Sequence, residues 1–309
     1  MTLFEFIGIA VVAFLLIKLL HWFYVTFLKG GISTKNFCGN DKWAVITGCT
    51  SGIGQGFAEE FASKKTNLVL VSRSQDKLDE LSSMLESKYE IKTMTHQMDF
   101  LKVTEDDYAA LVDAVQDLNI TCLVNNVGIN HPIPYNFLEH SRQEVDNLIN
   151  CNLFSMTNMT RAIMPLILKN PKGLIINLSS YTGYIALPMM STYSATKAFI
   201  NNFSQGLQQE YKTKGISVMS LIPFYVVSKM SKFRKPSLTV CAARRLAKDT
   251  LKKIGNSVVI NPYWVHDVIF IVTNRIIPLS MSFNMALSQM KWLQKKLLFK
   301  RNKNKTKAQ

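Results

Sequence analysis

Cysteine and acidic residues are both scarce in this chain of 309 residues. Its five cysteines form no CxxC pair and are odd in number, so neither a zinc site nor a disulfide framework is indicated. The chain has 21 acidic residues against 36 basic ones, which gives a formal charge of +15. The chain is not poor in hydrophobic residues, which make up 48% of it, and its 14 glycines form no repeat. The chain is therefore neither disordered nor collagen-like, and one or two globular domains fit its length.

The excess positive charge lies in two C-terminal segments. Residues 229–253 contain nine basic residues and one acid, and the tail at 288–309 contains eight basic residues and no acid. The rest of the chain is nearly neutral. A basic protein can bind nucleic acid or an anionic membrane surface. Because no recognition module with interleaved aromatic residues is found, we expect a membrane and no nucleic acid as partner.

One long hydrophobic run lies near the N-terminus, at residues 6–28. About 20 apolar residues suffice to cross the hydrocarbon core of a bilayer, and this run is too long for a signal-peptide core. We therefore predict a transmembrane anchor at residues 1–30. Lysines follow the run, which places the rest of the chain in the cytosol. An interfacial helix or hairpin is the alternative, because Lys18 and His21 interrupt the run.

From residue 42 onward, apolar strand-length runs alternate with helix-length segments. The strands are predicted at 43–47, 68–71, 122–124, 174–178 and 218–222. The helices are predicted at 54–63, 75–88, 105–117, 142–168 and 193–211. This alternation predicts a doubly wound, Rossmann-type α/β domain with a parallel sheet at 42–256. The apolar residues 257–287 are predicted to form a substrate cap or a membrane-apposed segment.

A glycine turn joins the first predicted strand to the first helix. Its residues are Gly48, Ser51, Gly52, Ile53 and Gly54, in a GxxxGxG spacing. Glycines permit a tight turn and let backbone N–H groups at a helix N-terminus approach a pyrophosphate. The turn therefore predicts a dinucleotide cofactor, and a turn that serves packing alone is the alternative.

Arg73 follows the second predicted strand. An acidic residue at this place would bind a ribose 2′-hydroxyl and repel a 2′-phosphate, whereas a guanidinium can pair with that phosphate. Arg73 therefore favours NADPH over NADH. The alternative is a solvated loop arginine without a ligand.

Tyr193 and Lys197 stand four residues apart, which puts them on one face of a helix. The spacing alone is weak, because Tyr225 and Lys229 share it. Only Tyr193 follows a serine pair, ending at Ser180, at the end of a predicted strand. Open α/β sheets bind their ligands at the carboxyl ends of their strands. We expect Tyr225 to be a loop residue with a structural role or a place in the substrate wall.

Together these motifs resemble the short-chain dehydrogenase/reductase family over roughly residues 42–229. The resemblance implies an NADP(H)-dependent carbonyl reductase, with Asp99 as an adenine contact and Asn126 and Gly128 in a wall of the cofactor site. Its implied catalytic tetrad is Asn152, Ser180, Tyr193 and Lys197. Asn152 is preferred to Asn150 because the following Leu-x-Ser matches the family pattern.

The resemblance also implies a mechanism. Tyr193 would protonate the substrate carbonyl oxygen, and the Lys197 cation would lower the pKa of that phenol. Ser180 would hold the carbonyl oxygen, and Asn152 would position a water molecule. Tyr193 and Lys197 would also contact the cofactor, Lys197 through the nicotinamide ribose.

The residues that follow the last predicted strand, at 218–222, narrow the resemblance. Phe224 follows Pro223 where many family members have glycine. With the anchor, this is similar to the branch of the very-long-chain 3-oxoacyl-CoA reductases and the 17β-hydroxysteroid dehydrogenases of types 12 and 3. That branch implies reduction of 3-oxoacyl-CoA in microsomal fatty-acid elongation, with 17-ketosteroid reduction as the alternative. It further implies a homodimer and other elongation enzymes as partners. A catalytically inactive membrane scaffold is a remote alternative, which the intact tetrad disfavours.

Two further expectations concern the substrate and the location in the cell. An apolar substrate channel would use Met189, Met190, Phe224, Met230 and Phe233, and cations for CoA phosphates would be Lys229, Lys232, Arg234 and Lys235. A solvated or lipid-facing surface explains that basic run equally well. Lys305 and Lys307 resemble a dilysine retrieval signal, which with the anchor places the chain in the endoplasmic reticulum membrane.

Overall fold

A computed structural model describes residues 2–306, with side chains described as far as residue 303. The Lys305 side chain and Lys307, which carry the predicted retrieval signal, lie outside the described residues.

A seven-stranded parallel sheet forms the centre of the structure, and a separate pair of short strands lies beside it. The strands are β1 (Trp43–Thr47), β2 (Asn67–Ser72), β3 (Thr93–Gln97), β4 (Ile120–Asn125), β5 (Gly173–Leu178), β6 (Ile216–Leu221), β7 (Tyr225–Val226), β8 (Val240–Cys241) and β9 (Val259–Ile260). The central order is β3-β2-β1-β4-β5-β6-β9, and β7 pairs with β8. The predicted Rossmann-type fold is confirmed.

Helices cover the sheet and extend the chain at both ends. They are α1 (Leu3–Phe23), α2 (Gly52–Ala62), α3 (Gln75–Tyr89), α4 (Glu105–Val115), α5 (Arg142–Ile149), α6 (Ser155–Ile167), α7 (Ser191–Tyr211), α8 (Ala243–Leu251), α9 (Trp264–Ile271) and α10 (Leu279–Thr306). A single helix was predicted over 142–168. The structure instead inserts a π-helical turn, Asn150–Phe154, between α5 and α6.

Both faces of the sheet are buried, which explains why its inner strands are almost wholly apolar. On one face, Phe57 of α2, Leu78 of α3 and Leu251 of α8 join one core cluster. On the other, Leu111 of α4 and Ile163 of α6 join a second. Each of these five helices thus buries apolar residues against the strands, as this layered architecture requires.

Two strands of the sheet, β3 and β9, were not among the predicted strands. β3 lies at the sheet edge, and its polar residues are only half-buried, so it lacks the apolar run of a central strand. β9 has two residues and pairs with β6 through Ser220 and Leu221. Because β9 belongs to the sheet, the sheet extends beyond the predicted limit of residue 256.

The C-terminal end of the N-terminal helix contacts the α/β domain. Residues Leu3–Leu28 are the one stretch of the described chain that is long and apolar enough to cross a membrane. The Trp22 indole nitrogen donates to the Asp267 carboxylate at 2.6 Å. Backbone N–H groups of Gly31 and Ile32 donate to the carbonyls of Lys252 and Ile254, at 2.9 and 2.8 Å. The helix supports membrane association, and these contacts tie its C-terminal end to the rest of the chain.

Candidate active site

A cavity of about 720 Å³ lies along the carboxyl ends of the strands. Its wall includes residues that follow β1, β2, β3, β4, β5 and β6, and it is completed by α9, α10 and the turn between them. The cavity therefore spans the sheet edge where an α/β fold of this type places its ligands. Most of its predicted site residues are contributed by the loops after the strands.

The glycine turn forms the part of the cavity wall that follows β1. Gly48 and Gly52 have φ angles of +63° and +59°, a conformation that favours glycine. The Asn126 side-chain amide donates to the carbonyls of Thr47 and Gly48, at 2.9 and 3.1 Å, and so fixes the turn. A Cβ atom at Gly54 would lie 2.5 Å from both the Asn126 amide nitrogen and the Gly48 oxygen.

Most of the predicted cofactor residues reach the cavity wall, and one does not. The wall contains Gly48, Ser51, Gly52, Ile53, Arg73, Asp99, Asn126 and Gly128. Gly54 lies behind the wall, where it permits close packing of the turn on Asn126. The residues fit a dinucleotide: a glycine-rich turn leads to the N-terminus of α2, where backbone N–H groups favour phosphate.

Lys77 lines the cavity together with Arg73, and sequence reasoning missed it. Both side chains are exposed, Arg73 after β2 and Lys77 in the first turns of α3. Two cations at this point fit a 2′-phosphate better than one does. The signal was available, because Lys77 stands four residues after Arg73, but only the helix start at Gln75 puts both at the cavity.

The Arg73→Asp substitution tests the cofactor preference. We expect the KM for NADPH to rise about 10–100-fold, because charge-assisted hydrogen bonds to the 2′-phosphate are lost. The KM for NADH should change little. Steady-state kinetics with both cofactors provides the measurement, and Lys88→Ala, at an exposed lysine in the last turn of α3, is the control. An equal rise in both KM values would contradict this role of Arg73.

Three members of the predicted tetrad line the cavity together: Ser180, Tyr193 and Lys197. Tyr193 and Lys197 lie on α7 and are buried. The Lys197 ammonium donates to the Leu178 carbonyl at 2.8 Å and lies 5.7 Å from the centre of the Tyr193 ring. The strand end at β5 and the start of α7 thus bring a hydroxyl, a phenol and a cation to one place.

Burial governs the protonation of both α7 groups. It raises the pKa of Tyr193 to about 12, and a hydrogen bond with Ser180 opposes this rise. Burial also lowers the pKa of Lys197 to about 8. The expected depression of the Tyr193 pKa by the lysine is thus not found: burial raises this pKa, and the group that opposes the rise is Ser180. At neutral pH Tyr193 carries its proton, the form that a reduction consumes.

Asn152 occupies a different position from the other three. Its side chain is buried in the π-helical turn, accepts from the Ile129 N–H at 2.8 Å, and donates to the Ile129 carbonyl and the Thr196 hydroxyl. It therefore links the loop after β4 to α7 from behind the cavity wall. Asn150 is exposed. The water-positioning role of Asn152 remains a prediction.

Tyr225 lies in β7 and not in the loop that the sequence predicted. Its hydroxyl accepts from the Gln289 side chain of α10 at 3.1 Å, and its ring lies 4.4 Å from that of Phe224, centre to centre. Tyr225 and Lys229 both line the cavity, so the second Tyr-x-x-x-Lys pair contributes to its wall.

The predicted substrate channel is only partly formed by the expected residues. The cavity wall contains Met190, Phe224, Met230, Lys229 and Lys232. Met189 packs instead in a buried cluster with Leu148 and Met290. The helix α10 also supplies Ala286, Met290, Leu293 and Leu297. Ala286 falls within the substrate cap predicted at 257–287, whereas sequence reasoning missed the other three. No local sequence pattern indicates that α10 lines the same cavity as Ser180, which lies more than a hundred residues earlier in the chain than Ala286.

Fold and site together define a dinucleotide-dependent oxidoreductase of the Rossmann type. The family model described as short chain dehydrogenase matches residues 42–238, and the chain belongs to the short-chain dehydrogenase/reductase family.

Relatives match most of the chain. Very-long-chain 3-oxoacyl-CoA reductase-B of Danio rerio is 42% identical over 239 residues, which cover 77% of this chain and 76% of that protein. The very-long-chain 3-oxoacyl-CoA reductase of Rattus norvegicus is 36% identical over 304 residues, or 96% of each chain. Among solved structures, a short-chain dehydrogenase from Sphingobium yanoikuyae in complex with NADPH has a TM-score of 0.61 and 28% identity, covering 68% of this chain and 83% of that one.

Proposed function

We propose that this chain uses NADPH to reduce the 3-oxo group of long or very-long-chain 3-oxoacyl-CoA to the 3-hydroxy group. The observation that carries the proposal is a single cavity that joins the glycine cradle, the Ser180, Tyr193 and Lys197 side chains, and an apolar wall from α10. The relative from Rattus norvegicus, named for this activity, matches nearly the whole length.

The mechanism follows from the arrangement of three side chains. When bound, NADPH supplies the hydride that reduces the carbonyl carbon. Ser180 hydrogen-bonds to the carbonyl oxygen, and Tyr193 donates its phenol proton to that oxygen. The Lys197 cation stabilises the phenolate that remains, in a buried site where such an interaction is strong. Re-protonation of Tyr193 completes the cycle.

The cofactor contacts are assigned by position. Arg73 and Lys77 would hold the 2′-phosphate, and Asp99 would contact the adenine. The turn from Gly48 to Gly54 would approach the pyrophosphate through backbone N–H groups. Lys197 would contact the nicotinamide ribose, because it lines the same cavity as the turn.

Charges in the cavity wall favour a thioester of CoA over a steroid. Lys229 and Lys232 line the cavity, and a neutral steroid would not require them. Both would meet CoA phosphates as point charges. The apolar residues of α10, including Met290 and Leu293, would contact the acyl chain.

The location and partners are further parts of the proposal. The anchor at Leu3–Leu28 would hold the chain in the endoplasmic reticulum membrane, with the catalytic domain in the cytosol because lysines follow the span. A homodimer and contacts with other elongation enzymes would fit a reductase that acts on one step of a repeated cycle.

A substrate panel tests the proposed function. Membranes containing the full chain are supplied with a long-chain 3-oxoacyl-CoA or a 17-ketosteroid, and NADPH consumption is followed. We expect kcat/KM for the acyl-CoA to exceed that for the steroid by about 10-fold or more, since a lost charge-assisted contact is worth about 1.5–3 kcal/mol. Membranes with Tyr193→Phe give the background rate. A preference for the steroid would overturn the proposal.

A further inference from the structure

The C-terminal helix α10 has two apolar faces. One face walls the catalytic cavity through Ala286, Met290, Leu293 and Leu297. The other points outward: Met281, Met285, Trp292 and Phe299 are 55%, 58%, 60% and 73% exposed. At 3.6 residues per turn, these four side chains fall within an arc of about 40°. They form a continuous outer stripe, here called the α10 stripe.

Lysines border the α10 stripe on both sides. Lys291, Lys295, Lys296 and Lys300 are exposed, and residues 279–306 contain no acid. The Lys296 ammonium lies 4.7 Å from the centre of the Trp292 ring. In a membrane, such lysine side chains lie along the apolar surface and keep the ammonium group at the level of the lipid phosphates. An aromatic stripe between lysines is the pattern of a helix that lies in a membrane interface.

The α10 stripe is continuous with the foot of the anchor. The Phe27 ring of the anchor lies 6.1 Å from that of Trp264 in α9, and Trp22 donates to Asp267 of the same helix. From α9 an exposed apolar path leads to α10 through Val272, Ile276 and Leu279. The start of α10 is therefore linked to the C-terminal end of the anchor through α9.

We propose that the α10 stripe is a second membrane contact, which lies in the interface of an anionic leaflet. The continuity with the anchor identifies the occupant as the bilayer, and the lysine borders favour anionic lipid. Because Met285 is exposed and also lines the cavity, this contact brings the cavity wall to the lipid surface. A second protein on the same face is the competing occupant that the experiment must separate.

Site-specific labelling of the full chain tests the contact. All five native cysteines are buried, so a cysteine introduced on the surface can be labelled selectively. Trp292→Cys and, separately, Phe299→Cys carry an environment-sensitive fluorophore in nanodiscs that contain phosphatidylcholine and phosphatidylserine. Quenching by acyl-chain nitroxide lipids is compared with quenching by aqueous iodide. Asp113→Cys on α4, also exposed, is the matched control.

We expect lipid quenching at positions 292 and 299 to be several-fold stronger than at 113, and iodide quenching to be weaker. Omitting phosphatidylserine, or combining the label with Lys295→Glu and Lys296→Glu, should reduce lipid quenching at 292. The anchor keeps every variant in the nanodisc, so a loss of quenching reports on α10 alone. Equal lipid quenching at 113 and 292, or protection of 292 from both quenchers as under a protein partner, would overturn the proposal.

Discussion

The Tyr193→Phe variant should lose about 10²–10⁴-fold in kcat, the range that a positioned proton donor contributes. The phenol is buried at the start of α7, and its raised pKa keeps the proton in place at neutral pH. Phenylalanine fills nearly the same volume without a proton to give. Binding of NADPH should persist, because the glycine cradle and Arg73 are untouched. Single-turnover reduction of the 3-oxoacyl-CoA provides the measurement.

Tyr211→Phe is the matched control for this experiment, since Tyr211 ends the same helix and lies outside the cavity wall. It should retain wild-type kcat. Cofactor binding to both variants is followed by NADPH fluorescence. A Tyr193→Phe enzyme with near-normal turnover would show that another group donates the proton.

The sequence predicted the sheet well because its signal is local. A strand buried on both faces must be mostly apolar, and β2, β4, β5 and β6 are buried at all six positions and apolar at four or more of them. The edge strand β3 has a solvated side and lacks that signal. The two residues of β9 are too few to form a pattern.

The site was predicted to the extent that its residues belong to motifs. The turn at Gly48 was predicted from its glycine spacing. The choice of Tyr193 and Lys197 also needed the serine pair before them and the family resemblance, because Tyr225 and Lys229 share their spacing. The direction of the Tyr193 pKa was wrong, because it depends on how much water the fold excludes, and spacing carries no information about burial. The α10 wall arises from tertiary packing that no motif encodes.

The structure divides the basic segment at 229–253 into three environments. Lys229 and Lys232 line the catalytic cavity. Arg244 lies within 4 Å of Glu59 and Glu60 of α2, at 3.9 and 3.8 Å.

The third group of cations surrounds the foot of the anchor. Lys248, Lys252 and Lys253 line a second cavity, of about 570 Å³, together with Lys29 at the end of the anchor. Sequence reasoning treated residues 229–253 as one surface that meets either CoA or lipid. The fold separates the two ends: the first lysines line the catalytic cavity, and the last line a cavity beside the end of the anchor.

Replacing Lys197 by Met should sharply lower turnover and at the same time stabilise the fold. The loss in kcat should again be about 10²–10⁴-fold, because the phenolate of Tyr193 loses its neighbouring cation. The stability effect has the opposite sign. Burial lowers the Lys197 pKa from 10.5 to about 8, so the folded state carries an unfavourable charge at neutral pH. Met fills the space without that charge.

The sign of the pH dependence separates this effect from a change in packing. Below pH 8 the lysine is charged in both the folded and the unfolded chain, and the full penalty of about 3 kcal/mol applies. Between pH 8 and 10.5 the folded chain releases the proton first, so wild-type stability rises relative to the variant. The hydrogen bond to Leu178 offsets about 1 kcal/mol of the gain in Lys197→Met.

Denaturant unfolding of the full chain in detergent, at pH 7 and pH 10, measures the change in stability and its dependence on pH. We expect Lys197→Met to be more stable than wild type by about 2 kcal/mol at pH 7, with most of that difference gone at pH 10. Lys212→Met, at an exposed lysine just after α7, should shift stability little at either pH. A Lys197→Met protein that is equally destabilised at both pH values would show that the ammonium is well compensated where it lies. Loss of turnover with gained stability would instead mark Lys197 as a residue kept for chemistry against the preference of the fold.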